Sequence, residues 1–194
     1  MNKLLSSMFA LAVASVTAIS AQAQEVKGDA KAAEQKIAMC IGCHGIKGYQ
    51  ASFPEVYKVP MISGQSASYI VAALNAYKKG ERKHPTMRGI AGSLSDQDIA
   101  DVSAFYASHQ APASTATAPA PNAVVAELLK KGNCASCHGD NFSKPIDPSY
   151  PKLAGQHADY LYVALKAYQT EGNPQVGRGN AIMAGMAKPF SHTE

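Results

Sequence analysis

The apolar positions of this chain recur at intervals of three and four residues and almost nowhere in alternation. Between Ser66 and Lys79, the residues Ile70, Ala73, Leu74 and Tyr77 line one face of a 3.6-residue period, which predicts an amphipathic helix. Leu161, Ala164, Leu165 and Tyr168 predict a second helix with the same face. Ser95, followed three residues later by Asp98, makes a capping-box signature ahead of Ile99, Val102, Phe105 and Tyr106. The stretch from Asp29 to Met39 is rich in Ala, Lys, Glu and Gln, so it reads as one more helix running straight on into Cys40. Asn122 is placed to cap a matching helix through Val125, Leu128 and Leu129. The expected fold class is all-α.

The helical pattern is duplicated, and so is everything around it. Cys40-Ile41-Gly42-Cys43-His44-Gly45 returns as Cys134-Ala135-Ser136-Cys137-His138-Gly139. Val59-Pro60-Met61-Ile62-Ser63-Gly64-Gln65 returns as Tyr150-Pro151-Lys152-Leu153-Ala154-Gly155-Gln156, and Tyr69, Ala73-Leu74 and Ala76-Tyr77 return at a constant offset of 91. Order and spacing together indicate an internal duplication. Between the copies, residues 111–121 hold no charge, no large apolar side chain and three prolines, a composition suited to an extended connector. The expected domains are therefore 24–110 and 122–194. Each is small for a hydrophobic core alone to stabilise.

At the N-terminus, Lys3 precedes an apolar or small-residue stretch from Leu4 to Ile19 without an acid, and Ala21-Gln22-Ala23 offers a small-x-small cleavage pattern. Residues 1–23 read as a cleaved signal peptide. A membrane span is the weaker reading, because the apolar part is short and diluted by Ser6, Ser7, Ser15 and Thr17. Without that segment the chain keeps 17 basic and 14 acidic side chains, a net charge of +3. Residues 24–110 carry ten basic and eight acidic groups and residues 121–194 seven and six, so neither half is strongly polarised. No basic run or stripe points to nucleic acid.

Four cysteines in an exported chain would ordinarily imply disulfides, but their spacing points elsewhere. Cys-x-x-Cys-His is the attachment signature of a c-type haem: two thiols add across the vinyl groups, and the next residue, His, is placed to ligate iron. Cys40, Cys43, Cys134 and Cys137 are thus expected to hold two covalent haem c groups, with His44 and His138 as axial ligands. A redox dithiol leaves the paired histidines unexplained, and a zinc ribbon would need its Cys pairs about 12–20 residues apart. Methionine opposite histidine makes an electron-transfer centre. Met1 and Met8 lie in the signal peptide, Met39 adjoins Cys40, and Met61 faces Lys152 in the repeat. Met87 and Met183 correspond to each other, since Met87-Arg88-Gly89-Ile90 aligns with Met183-Ala184-Gly185-Met186 and Leu94-Ser95 with Phe190-Ser191. They are the candidate sixth ligands, and the alternative for each is a core methionine filling space. The same register puts Met186 at an apolar core position. His84, His109, His157 and His192 are expected on the surface, with Asn180 standing where His84 has its counterpart.

The doubled Cys-x-x-Cys-His, the doubled Pro-x-(Leu/Ile)-x-Gly-Gln and the doubled Met resemble the di-haem cytochrome c4 family over essentially the whole chain after the signal peptide. The resemblance implies tandem class I cytochrome c domains, His/Met ligation and a periplasmic electron shuttle from a quinol-oxidising complex toward a terminal oxidase or reductase, associating peripherally with such membrane complexes. It also implies that the Pro60 and Pro151 carbonyls accept Nδ1–H from His44 and His138. One departure stands out: a capped helix follows Met87, whereas only 11 residues follow Met183, with Ser191 and Glu194 at the cap position. The second domain is expected to lack its C-terminal helix and to be looser.

With iron closed by His and Met, no position is open for a substrate, so the expectation is an electron carrier with no small-molecule substrate and no catalytic residue. Two alternatives remain: the haem subunit of a periplasmic flavin dehydrogenase, and a peroxidase, which would need one open iron.

Overall fold

The computed structural model describes residues 26–109 and 120–194. The expected signal peptide and most of the expected Ala/Pro connector lie outside the described residues. The first repeat contains α1 (Ala30–Ala33), α2 (Ala38–His44), β1 (Gln50–Ala51), β2 (Tyr57–Lys58), α3 (Ala67–Lys79), β3 (Arg82–Lys83), α4 (Pro85–Gly92) and α5 (Asp96–Ser108). The second contains α6 (Ala123–Lys131), α7 (Ala135–His138), α8 (Ala158–Gln169), β4 (Gly177–Arg178) and α9 (Ala181–Ala187). Helix dominates, and the four strands are two residues long each.

In the first repeat α5 packs on α1 and α3, and α3 packs on α4. The buried cluster joins Ala33 and Ile37 to Ile70, Leu74, Ala91, Leu94, Ile99, Val102 and Tyr106. Helix α5 starts where its cap predicts: Ser95 Oγ accepts from Asp98 N–H, and Asp98 Oδ2 accepts from Ser95 N–H at 2.9 Å. The expected single helix over 29–39 is instead two, broken at 34–37, where Lys36 N–H donates to Ala33 O in a tighter turn. Packing decides this break, because Ala33 and Ile37 both turn into the core. Gly28 lies so close to the Ala100 carbonyl that any Cβ would overlap it.

Asp101 locks this junction. Its carboxylate is 1% exposed and accepts from Asp29 N–H at 2.8 Å, Gln97 Nε2 at 2.7 Å and Lys36 Nζ at 2.9 Å. Burial pushes the carboxyl up, but these donors outweigh it and hold it below the usual carboxylate range.

The second repeat reproduces α3 and α4 as α8 and α9, but among its described residues no helix corresponds to α5. The consequence falls on Leu165. The pattern predicts it buried like Leu74, yet it is 47% exposed, while Val163, Ala164 and Ala167 are buried. Leu74 is covered by α5 residues, and nothing equivalent covers Leu165. Val124 on α6 is likewise 70% exposed, and Met186 is 38% exposed where an apolar core position was expected. Instead, Gln169 Nε2 closes this repeat by donating to Ala187 O and Phe190 O at 2.8 Å each. Ser191 and Glu194 bond reciprocally, at 2.9 and 3.3 Å, in the manner of Ser95 and Asp98.

The repeats meet face to face. β3 pairs antiparallel with β4, Arg82 opposite Arg178. Lys166 Nζ reaches Glu55 Oε1 at 2.7 Å, Lys58 N–H donates to Asp159 Oδ2 at 3.0 Å, and Lys83 Nζ donates to Asn173 O at 2.8 Å.

Candidate functional site

Each Cys-x-x-Cys-His motif sits at the end of a short helix, α2 or α7, so the two cysteines lie three residues apart on one face with the histidine at the C-terminal end. All four thiols are free. Burial pushes the Cys40 and Cys134 thiols up. Raised thiols are poor redox nucleophiles, which weighs against a dithiol oxidoreductase. After His138 the chain turns sharply at Gly139, which has φ +81° and no room for a Cβ beside the Lys144 carbonyl.

His44 Nδ1 donates to Pro60 O at 2.7 Å, and His138 Nδ1 donates to Pro151 O at 2.9 Å. With Nδ1 protonated, the Nε2 lone pair of each ring is the one available to a metal. Burial lowers the His44 pKa against the Pro60 bond, which favours the neutral ring that ligation requires.

Met87 and Met183 occupy the third position of α4 and α9, and both are half-buried. Their backbone N–H groups donate to the capping side chains three residues earlier, Met87 to His84 Nδ1 at 3.4 Å and Met183 to Asn180 Oδ1 at 2.9 Å. His84 is therefore not a surface residue: it is half-buried, caps α4, and with Nδ1 accepting, its Nε2–H donates to Tyr57 Oη at 3.0 Å. His109 and His192 are exposed, as expected, and His157 is half-buried at the start of α8.

Two features have roles that the motifs do not reveal. Gln65 and Gln156 each grip the opposite repeat: Gln65 holds the backbone of Lys152, and Gln156 holds that of Met61. Beside them lie Arg82 and Arg178, among Tyr69, Tyr77, Tyr160 and Tyr168. Tyr160 Oη accepts from Arg178 at 2.9 Å and from Arg82 at 3.4 Å, and the Arg82 guanidinium stands 4.8 Å over the Tyr77 ring. Burial pushes the Tyr160 phenol up, but the two guanidiniums overcome it and bring it down to about 8. Arg82 is buried, its Nε has no partner, and no carboxylate pairs with either arginine among the described residues. Two cations enclosed this way call for anions. The sequence carried a signal for them, because Arg82-Lys83-His84 precedes Met87 just as Arg178-Gly179-Asn180 precedes Met183.

The cytochrome c family model matches residues 30–110 and 123–194. The chain is also 31% identical, over its whole length and 94% of the relative's, to cytochrome c4 of Pseudomonas aeruginosa. The chain belongs to the cytochrome c4 family. The structure of reduced cytochrome c4 from Pseudomonas stutzeri superposes with a TM-score of 0.60 at 28% identity, covering 85% of this chain and 92% of that one. A thiosulfate dehydrogenase electron acceptor of Stutzerimonas stutzeri is 29% identical over 93% of this chain and 84% of its own.

As a di-haem cytochrome c, this member of the family binds two covalent haem c groups and is an electron carrier, not an enzyme. The residues present fit those groups. Cysteines not paired in disulfides and histidines whose Nδ1 is engaged by a proline carbonyl stand on or at the start of α2 and α7, and the two arginines that no carboxylate pairs among the described residues suit the propionate carboxylates that a haem brings. No helix among the described residues is long and apolar enough to cross a membrane.

Proposed function

We propose that the chain is a periplasmic shuttle, taking single electrons from a quinol-oxidising complex and delivering them to a terminal oxidase or reductase. In this reading Cys40 and Cys43 hold one haem, with His44 and Met87 as axial ligands. Cys134 and Cys137 hold the other, with His138 and Met183. The iron supplies one-electron chemistry, and this chain's residues orient it and close both of its faces. The observation that carries the reading is the matched fixing of both candidate ligand pairs: each histidine is held by a proline carbonyl and each methionine by a capping side chain. In this reading two haems in one chain, on repeats that touch through β3 and β4, let an electron enter one domain and leave by the other.

Mild net charge implies docking through local patches, in small and short-lived complexes. A dehydrogenase-acceptor role is the second reading, and the thiosulfate dehydrogenase electron acceptor among its relatives supports it. Stopped-flow reduction separates the two. Fast reduction by a purified quinol-oxidising complex, with slow reduction by thiosulfate dehydrogenase, supports the shuttle. The opposite order, or stable co-purification with a dehydrogenase subunit, overturns it.

A further inference from the structure

We propose that each proximal histidine is tuned from the other repeat, through one peptide group and one glutamine. The inference rests on the reading of His44 and His138 as iron ligands. The carbonyl that accepts from His44 belongs to the peptide joining Pro60 to Met61, and the N–H of that same peptide donates to Gln156 Oε1 at 3.0 Å. The carbonyl that accepts from His138 belongs to the peptide joining Pro151 to Lys152, whose N–H donates to Gln65 Oε1, also at 3.0 Å. Each relay therefore runs from an imidazole through a peptide to an amide of the opposite domain. The pair is reciprocal.

The glutamines are held for this task. Gln65 Oε1 also accepts from Ser66 N–H, and Gln156 Oε1 from His157 N–H, each at 3.0 Å. Their Nε2 groups donate to Lys152 O at 3.1 Å and Met61 O at 2.9 Å. A flipped amide would set NH2 against two N–H donors, so the orientation is determined. Gln65 is 7% exposed, which keeps the bond in a medium where hydrogen bonds polarise one another.

The sign follows from that polarisation. Donation from a peptide N–H draws electron density onto its carbonyl oxygen, which then accepts more strongly from Nδ1–H. The imidazole gains anionic character and donates more to iron, which favours the oxidised state. Withdrawing the glutamine raises the potential of the opposite haem. Loosening or separating the domains has the same effect on both haems, so docking of a partner at the interface would retune them together.

The test uses the full di-haem protein, with each haem followed separately by its assigned haem-methyl NMR resonances during redox titration. Gln156→Leu is expected to raise the haem at Cys40 and Cys43 and leave the other in place. Gln65→Leu is expected to do the reverse. The shift expected is about threefold in the reduced-to-oxidised ratio at fixed poise, about 30 mV for one electron. Should a leucine variant fold poorly, Gln156→Asn keeps an amide and withdraws it by one methylene. Glu55→Ala removes the Lys166 ion pair of the same interface without touching either relay, and is expected to show no crossed shift, any movement being shared by both haems. Shifts in the variant's own repeat, equal shifts in both haems, no shift, or the same pattern from Glu55→Ala would overturn the relay. The iron–sulfur charge-transfer band and the hyperfine-shifted NMR resonances of the axial histidine rings in the unaltered protein test ligation independently. Their absence would sink the ligand reading, and their presence with uncrossed shifts would sink only the relay.

Discussion

Replacing Asp101 by Ala tests how the first Cys-x-x-Cys-His motif is held in place. The carboxylate joins the N-terminus of α1, through Asp29 N–H, to Lys36 in the turn before α2 and to Gln97 on its own helix α5. Truncation deletes three charge-assisted bonds. Lys36 keeps Asp98 at 2.6 Å, and Gln97 can turn to solvent, so the uncompensated loss is chiefly the Asp29 N–H and the packed carboxylate. One hydrogen bond to a buried charged group is worth about 1.5–3 kcal/mol. At about 4–8 °C per kcal/mol for a domain of this size, the first repeat should lose about 6–24 °C in Tm. Asp101→Asn, which keeps an acceptor, should lose less.

The pH dependence fixes the sign. The folded carboxyl sits below its unfolded value of about 3.9, so its contribution is complete above that value and fades as pH falls through the folded one. Unaltered protein should therefore lose stability steeply below about pH 4, and Asp101→Asn should show a flatter acid limb. Far-UV and Soret circular dichroism, followed against temperature from pH 2 to 7, measure both. Equal melting of Asp101→Ala and unaltered protein, or identical acid limbs, would refute the assignment of this carboxylate as the lock.

Ser95→Ala removes the reciprocal cap of α5 and should cost about 1 kcal/mol, seen as a lower Tm of the first repeat. Arg82→Gln removes a buried cation that favours the reduced, less positive irons, so spectroelectrochemistry should find both potentials lowered. Unchanged potentials would mean the guanidinium does not face the haems. Met87→Ala should lower the potential of the first haem and open its iron to imidazole or carbon monoxide, and an unchanged potential would remove Met87 from the ligand set.

What could be read from the chain alone was what repeats locally. Helices α3, α5 and α6 follow from apolar spacing and from caps at Ser95 and Asn122, all signals contained within a few residues. The break between α1 and α2 was not readable, because Ala, Lys, Glu and Gln favour a continuous helix and only packing of Ala33 and Ile37 on α5 interrupts it. Leu165 has the same local pattern as Leu74 but no α5 above it, so identical periodicity yields opposite burial. His84 looked like a spare surface side chain, since its two partners, Tyr57 and the Met87 backbone, meet only in the fold. The interface was the largest omission. Gln65 and Gln156, Tyr69 and Tyr160, and Tyr77 and Tyr168 repeat at an offset of 91 and Arg82 and Arg178 at 96, but a repeat does not say that these side chains meet across two domains rather than serve each domain alone.

In the proposed reading both irons are closed, so the haems only exchange electrons. Carbon monoxide binding to the fully reduced protein, counted against covalent haem, tests it most directly. Two haems per chain and no carbon monoxide bound are expected. One equivalent or more bound per chain would mean an open iron, contradicting ligation by Met87 or Met183 and giving the peroxidase alternative a site.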